Sequence, residues 1–199
     1  MNQIISSKDG SFVYRIKDRF IKTVIIPEGV TKIGYAALSG FRYLKSVFLP
    51  DSLTLIGKDA FQGCTALASI VIPRKVTKIG WNAFKGCTNL ESITLSEGLE
   101  SIGCGVFEGC SSLTTITIPA SVQSIGQHAF EHCLPLREIH FLSTNINDVE
   151  ISRNCFEDIH FARCILYVPY GMEAAYRSHP ILGLFKDIVA EPMAKNAVA

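Results

Sequence analysis

The sequence predicts a repeat solenoid, and three observations carry that expectation. Gly34, Gly57, Gly80, Gly103 and Gly126 are each 23 residues apart, with Ile33, Ile56, Ile79, Ile102 and Ile125 preceding them in the same register. Phe61, Phe84, Phe107 and Phe130 keep the period, as do Cys64, Cys87, Cys110 and Cys133, while Leu44, Leu67, Leu90, Leu113 and Leu136 complete the frame. The 199 residues are 48% hydrophobic with a formal net charge of +1, a balance that excludes intrinsic disorder. A short unit cannot bury its apolar face alone, so units in one register must stack and supply one another's core.

The elements follow in chain order. Lys8-Asp9-Gly10 is a turn signal, and Gly10 to Ile16 alternates as a strand. This predicts a capping hairpin over 1–20 that leads into a first repeat strand at Ile21 to Ile26. One full unit then runs Leu67-Ala-Ser-Ile70-Val-Ile72-Pro73, Val76-Thr-Lys-Ile79-Gly80 and Ala83-Phe84-Lys-Gly-Cys87. Its first part alternates, with Ile70 and Ile72 on one side and Ser69 and Val71 on the other, the pattern of a half-buried strand. Pro73, which has counterparts at Pro27, Pro50 and Pro119 and is replaced by Ser96 in one unit, ends the strand. Gly80 is expected to supply backbone freedom. The Ala83–Cys87 piece predicts a single helical turn on the outer side with Phe84 pointing inward, being too short for an independent helix.

Stacked units place their strands side by side at about 4.8 Å. About seven coils fill 21–169, and the spacing stretches after Phe141: Ile165 to Pro169 forms a last strand 27 residues after its predecessor. Tyr170 to Ser178 predicts a helix, with Leu182 to Val189 as packing residues, in a C-terminal cap over 170–190. Residues 191–199 are expected to be a loose tail or the start of a linker.

The pattern L-x-x-I-x-I-P…V-x-x-I-G-x-x-A-F-x-G-C, seen in Leu67 to Pro73 and again in Leu113 to Pro119, resembles the BspA-like, treponemal class of leucine-rich repeats. The resemblance covers roughly residues 20 to 170. In the first unit Leu38 replaces the Phe and Phe41 the Cys. The resemblance implies a right-handed β/α superhelix with a parallel strand ladder on the concave face and short helical turns or short strands on the convex side. It also implies a non-enzymatic interaction module, secreted or on a bacterial surface, that binds a host or microbial protein in the manner of an adhesin. An intracellular scaffold and a carbohydrate-binding accessory domain are the alternatives.

Several function classes are excluded or disfavoured by the residues themselves. The 19 Lys and Arg against 18 Asp and Glu contain no basic block, which argues against nucleic acid as a partner. A mean hydropathy of +0.27 is high, yet no stretch approaches the roughly 18 apolar residues of a membrane span. Met1 to Asp9 has no hydrophobic signal core, so the chain is either cytoplasmic or stands without a removed leader. No Gly-rich phosphate cradle, nucleophile elbow or repeated carboxylate pair appears, which disfavours an enzyme and leaves no cofactor assigned.

The seven cysteines predict a column of buried, inert thiols at Cys64, Cys87, Cys110 and Cys133, with Cys104 more exposed. Coil spacing separates neighbouring Cβ atoms by more than a disulfide prefers, and a straight column does not converge on a zinc ion. Cys155 and Cys164 stand in the irregular last unit, where a bridge is the alternative to free thiols. His128 and His132 are four apart with Glu131 between them, but the order does not fit His-Glu-x-x-His, and no metal is assigned.

The outward strand positions form the candidate site: Thr23 and Ile25, Ser46 and Phe48, Ser69 and Val71, Ser92 and Thr94, Thr115 and Thr117, Glu138 and His140, Ile165 and Tyr167. Repeat arrays bind along such surfaces. Ile25, Phe48 and Val71 give an apolar strip suited to protein contact. Thr94 and Thr117 form a hydroxyl-lined middle suited to peptide or glycan, and Glu138, His140 and Tyr167 make a polar corner.

Overall fold

The structure, a computed structural model, describes residues 4–6, 12–16 and 19–191. The expected turn at Lys8-Asp9-Gly10 and the tail beyond Glu191 lie outside the described residues. Near the N-terminus, β1 (Ile4–Ser6) pairs antiparallel with β2 (Phe12–Ile16). Longer and shorter strands then alternate once per coil: β3 (Thr23–Ile25) and β4 (Lys32–Ile33), β5 (Ser46–Phe48) and β6 (Leu55–Ile56), β7 (Ser69–Val71) and β8 (Lys78–Ile79). They continue as β9 (Ser92–Thr94) and β10 (Ser101–Ile102), β11 (Thr115–Ile118) and β12 (Ser124–Ile125), β13 (Glu138–Phe141) and β14 (Glu150–Ile151). The chain closes with β15 (Ile165–Pro169), a helix α1 (Glu173–Ser178) and β16 (Asp187–Glu191).

The result is a parallel leucine-rich-repeat solenoid. The short strands make one sheet in the order β1-β2-β4-β6-β8-β10-β12-β14, so the terminal hairpin covers the edge of the first coil. The long strands pair in groups, β3-β5, β7-β9 and β11-β13-β15-β16. Register is strict, with Ile33 opposite Ile56 and Ile56 opposite Ile79. Alternation puts Val24, Ile70, Ile116 and Ile139 into the core and their neighbours outside, as period-two patterning requires. Phe61, Phe84, Phe107, Phe130 and Phe156 stack down the core with ring centroids 5.1–6.0 Å apart.

Two local expectations change. The Ala83–Cys87 piece is not a helical turn, because two residues of the outer turn in each of the first five coils adopt left-handed backbone. These are Ala36, Asp59, Asn82, Gly105 and His128 in one column and Gly40, Gly63, Gly86, Gly109 and His132 in the other, with φ between 51° and 75°. A right-handed turn cannot pass through such residues. N–H groups instead alternate between three-residue turns, such as Ala83 to the Gly80 carbonyl at 3.2 Å, and bonds to the next coil, such as Phe84 to Val106 at 2.9 Å. Phe84 still points inward and is fully buried.

Gly80 is needed for close approach, not for backbone freedom. A Cβ there would meet the Lys58 nitrogen at 2.6 Å and the Gly57 carbonyl carbon at 2.7 Å, and Gly57, Gly103 and Gly126 face similar backbone contacts. At the last long strands, α1 is docked by Tyr176, which is fully buried and donates its hydroxyl to the Phe141 and Ser143 carbonyls at 3.1 and 2.8 Å.

Candidate binding face

Short strands leave little room for regular patterning, so the outward positions depend on register. Ile25 stands opposite Phe48, Val71 opposite Thr94, Thr117 opposite His140, and His140 opposite Tyr167. The structure therefore places Ile25, Phe48, Val71, Thr94, Thr117, Glu138, His140 and Tyr167 on one face, in the order of the coils. Ile25, Phe48 and Val71 are 66%, 58% and 62% exposed. Large apolar side chains so uncovered, side by side on three successive coils, form an apolar strip.

The strip spans a break in the long-strand sheet. β5 and β7 lie next to each other but belong to different ladders, and so do β9 and β11. Val47 and Ile93, the inward residues just before each break, are 8% exposed, whereas Val24, Ile116 and Ile139 are at 0–1%. Between β5 and β7 opens a cleft of about 300 Å³ lined by Val47, Phe48, Leu49, Ile70, Val71 and Pro73, with Ser46, Asp51 and Ser69 at its polar margin. The repeat pattern, identical on both sides of the break, carries no sign of it.

At the other end the polar corner is held together. The His140 ring stacks on Tyr167 with centroids 4.6 Å apart and planes 11° from parallel. Its Nδ1 lies 3.0 Å from Glu191 Oε1, and its Nε2 3.7 Å from Glu138 Oε2. Glu191 reaches this corner because β16 pairs in parallel with β15, Tyr167 opposite Val189 and Pro169 opposite Glu191. Repeat spacing could not have found Glu191, which lies beyond the last repeat.

A second surface lies on the short-strand side. Lys58 Nζ stands 5.9 Å from the ring centroids of both Tyr35 and Trp81, which are 69% and 54% exposed. Trp81 also edges a cleft of about 470 Å³ with Lys78, Ser101, Cys104, Ser124 and Glu150 along its walls.

The seven cysteines are free thiols, including Cys155 and Cys164, and all but Cys104 are buried. Desolvation pushes the Cys64 and Cys133 thiols up to about 12, and holds Cys87, Cys110 and Cys155 well above the usual thiol range. These sulfurs are therefore protonated, and packing is their role. His128 and His132 lie on the outer turns, away from the long-strand face. No helix among the described residues is long and apolar enough to cross a membrane.

Comparison with known proteins agrees with this geometry. The family model for the BspA type leucine rich repeat region matches in six copies over residues 11–137. A leucine rich repeat protein of T. pallidum has a similar solved structure, with a TM-score of 0.67 and 26% identity over 92% of this chain and 90% of that one. A leucine-rich repeat protein from Eubacterium ventriosum matches with a TM-score of 0.62 and 23% identity, covering 68% of this chain and 37% of that one. The pneumococcal vaccine antigen PcpA shares the fold at a TM-score of 0.56 and 18% identity, over 96% of this chain and 46% of that one. No curated protein matches the chain. The 23-residue register, the stacked parallel strands and the six matched repeats together make this chain a member of the BspA-type leucine-rich repeat family.

Proposed function

We propose that the chain is a non-enzymatic interaction module that binds a protein along its long-strand face, exported to a bacterial surface where it recognises a host or microbial protein. The observation that supports the binding mode is the exposed strip Ile25, Phe48 and Val71 beside the cleft between β5 and β7. An apolar side chain of a partner can fill that cleft, while Thr94, Thr117 and the corner of Glu138, His140 and Tyr167 supply directional polar contacts. The near-neutral net charge leaves no dominant field to steer a partner, so recognition rests on shape and local chemistry. Export is supported by family membership, and the upstream reading frame tests it: a leader or lipobox is the expected finding.

One observation favours a second reading. The Tyr35–Lys58–Trp81 group and the hydroxyl-lined cleft beside it could hold a glycan by ring stacking and hydrogen bonds. Protein and glycan arrays probed with the wild type, Phe48→Glu, Tyr167→Ala and Trp81→Ala separate the two. Protein binding should fall at least tenfold in Phe48→Glu and survive Trp81→Ala. Loss only in Trp81→Ala, on glycan spots, would favour the second reading.

A further inference from the structure

Two histidines of the outer turn meet three carboxylates at the seam between the fifth and sixth coils. His128 and His132 occupy left-handed positions, with φ of 56° and 59°, that Gly105 and Gly109 hold one coil earlier. The His132 column is otherwise glycine, at Gly40, Gly63, Gly86 and Gly109, whereas the His128 column also holds Ala36, Asp59 and Asn82, so His132 is the departure from the repeat. His128 Nδ1 lies 3.0 Å from Glu131 Oε2 and 3.2 Å from Glu157 Oε2. His132 Nδ1 lies 2.7 Å from Asp158 Oδ2, and its Nε2 3.7 Å from Glu131 Oε1. Within each triad, His128–Glu131–Glu157 and Glu131–His132–Asp158, the donor atoms all lie within 4.8 Å of one another.

The separations of the first triad suit coordination; in the second, His132 meets Asp158 and Glu131 through different ring nitrogens, of which one serves an ion. Ligands about 2.1 Å from a small divalent ion and 90–109° apart are themselves about 3.0–3.4 Å apart. Three carboxylates facing two imidazoles also concentrate negative charge that a dication offsets. Side-chain exposures of 21–58% leave room for water in the remaining coordination positions. A supporting group is in place as well: Asn154 Nδ2 lies 2.8 Å from His128 Nε2. With its amide turned, Asn154 accepts the Nε2 proton and frees the Nδ1 lone pair for an ion, the usual arrangement behind a ligating histidine.

We propose that this seam is a surface site for a divalent transition ion of the zinc class, in which Glu131 bridges two three-ligand subsites through its separate oxygens. Imidazole with carboxylate suits zinc, copper and nickel, whereas calcium and magnesium prefer oxygen alone. The spacing of His128, Glu131 and His132 excludes only the His-Glu-x-x-His arrangement. Glu157 and Asp158 come from the next coil, so the site exists only in the stacked fold.

The test is calorimetric titration of the full chain with zinc chloride, with cobalt(II) absorption as a second readout. Wild type should take up zinc saturably, at one or two equivalents, and show no comparable uptake of calcium. Glu131→Gln should bind at least tenfold more weakly, and Asn154→Ala about tenfold. The double variant His128→Gly, His132→Gly should lose binding yet stay folded by circular dichroism, because glycine is the residue those backbone positions favour. His140→Ala and Cys104→Ser should bind as the wild type does. Absence of saturable uptake by the wild type would overturn the proposal, as would undiminished uptake in Glu131→Gln or loss of uptake in His140→Ala or Cys104→Ser.

Discussion

The column of Cys64, Cys87, Cys110 and Cys133 does more than fill space. Each Sγ–H donates to a main-chain carbonyl of the preceding coil: Leu38, Phe61, Phe84 and Phe107, at 3.2, 3.2, 3.3 and 3.0 Å. A small side chain with a weak donor thus fits where serine would bury a stronger polar group and alanine would leave a gap. Cys87→Ala is expected to cost about 1–2 kcal/mol, read from denaturant unfolding. Thiol labelling near neutral pH should modify Cys104 in the native protein and all seven cysteines after denaturation. The same burial gives an alkaline limit. A thiol raised from about 9 to about 12 on folding contributes stability that is whole below 9 and is lost as pH climbs toward 12. Unfolding midpoints measured across that window should fall with rising pH.

At the scale of the element, the coil is built by backbone approach as much as by side chains. Gly80→Ala would drive a Cβ to within 2.6 Å of the Lys58 nitrogen, main chain that cannot step aside, and should cost about 3 kcal/mol. Gly171→Ala, with no heavy atom near the added carbon but a φ of +82°, should cost only about 1 kcal/mol. Comparing their unfolding midpoints separates crowding from conformational strain. In the terminal element, Tyr176→Phe leaves two buried carbonyls without their donor and should destabilise by about 1–2 kcal/mol, with α1 losing amide protection first. The strand alternation was legible because Ile70, Ile72 and their counterparts report burial directly. The outer turn was not. Its short Ala-Phe-x-Gly-Cys run suits a helical turn by propensity, and the left-handed residues that break it include alanine, asparagine, aspartate and histidine as well as glycine.

Across the whole molecule, the high mean hydropathy, with no membrane-length helix among the described residues, has a structural cause. Each coil contributes matching inward apolar residues to one continuous core, and the Phe61 to Phe156 stack runs through it. The long-strand face could be traced from the sequence because one register governs Ile25, Phe48, Val71, Thr94 and Thr117. Features without periodicity could not be traced. The break between β5 and β7 falls between matching units, Glu191 arrives on a strand outside the repeat, and Glu157 and Asp158 reach the histidines only after the spacing has changed. Binding is therefore expected to centre on the first three coils, where the apolar strip meets the cleft, and to fade toward Thr94 and Thr117. The most direct test is to compare wild type and Phe48→Glu for affinity toward a protein ligand selected on the array, with folding of the variant checked by circular dichroism. A loss of at least tenfold with an intact fold is the result this account predicts, and unchanged affinity would contradict it.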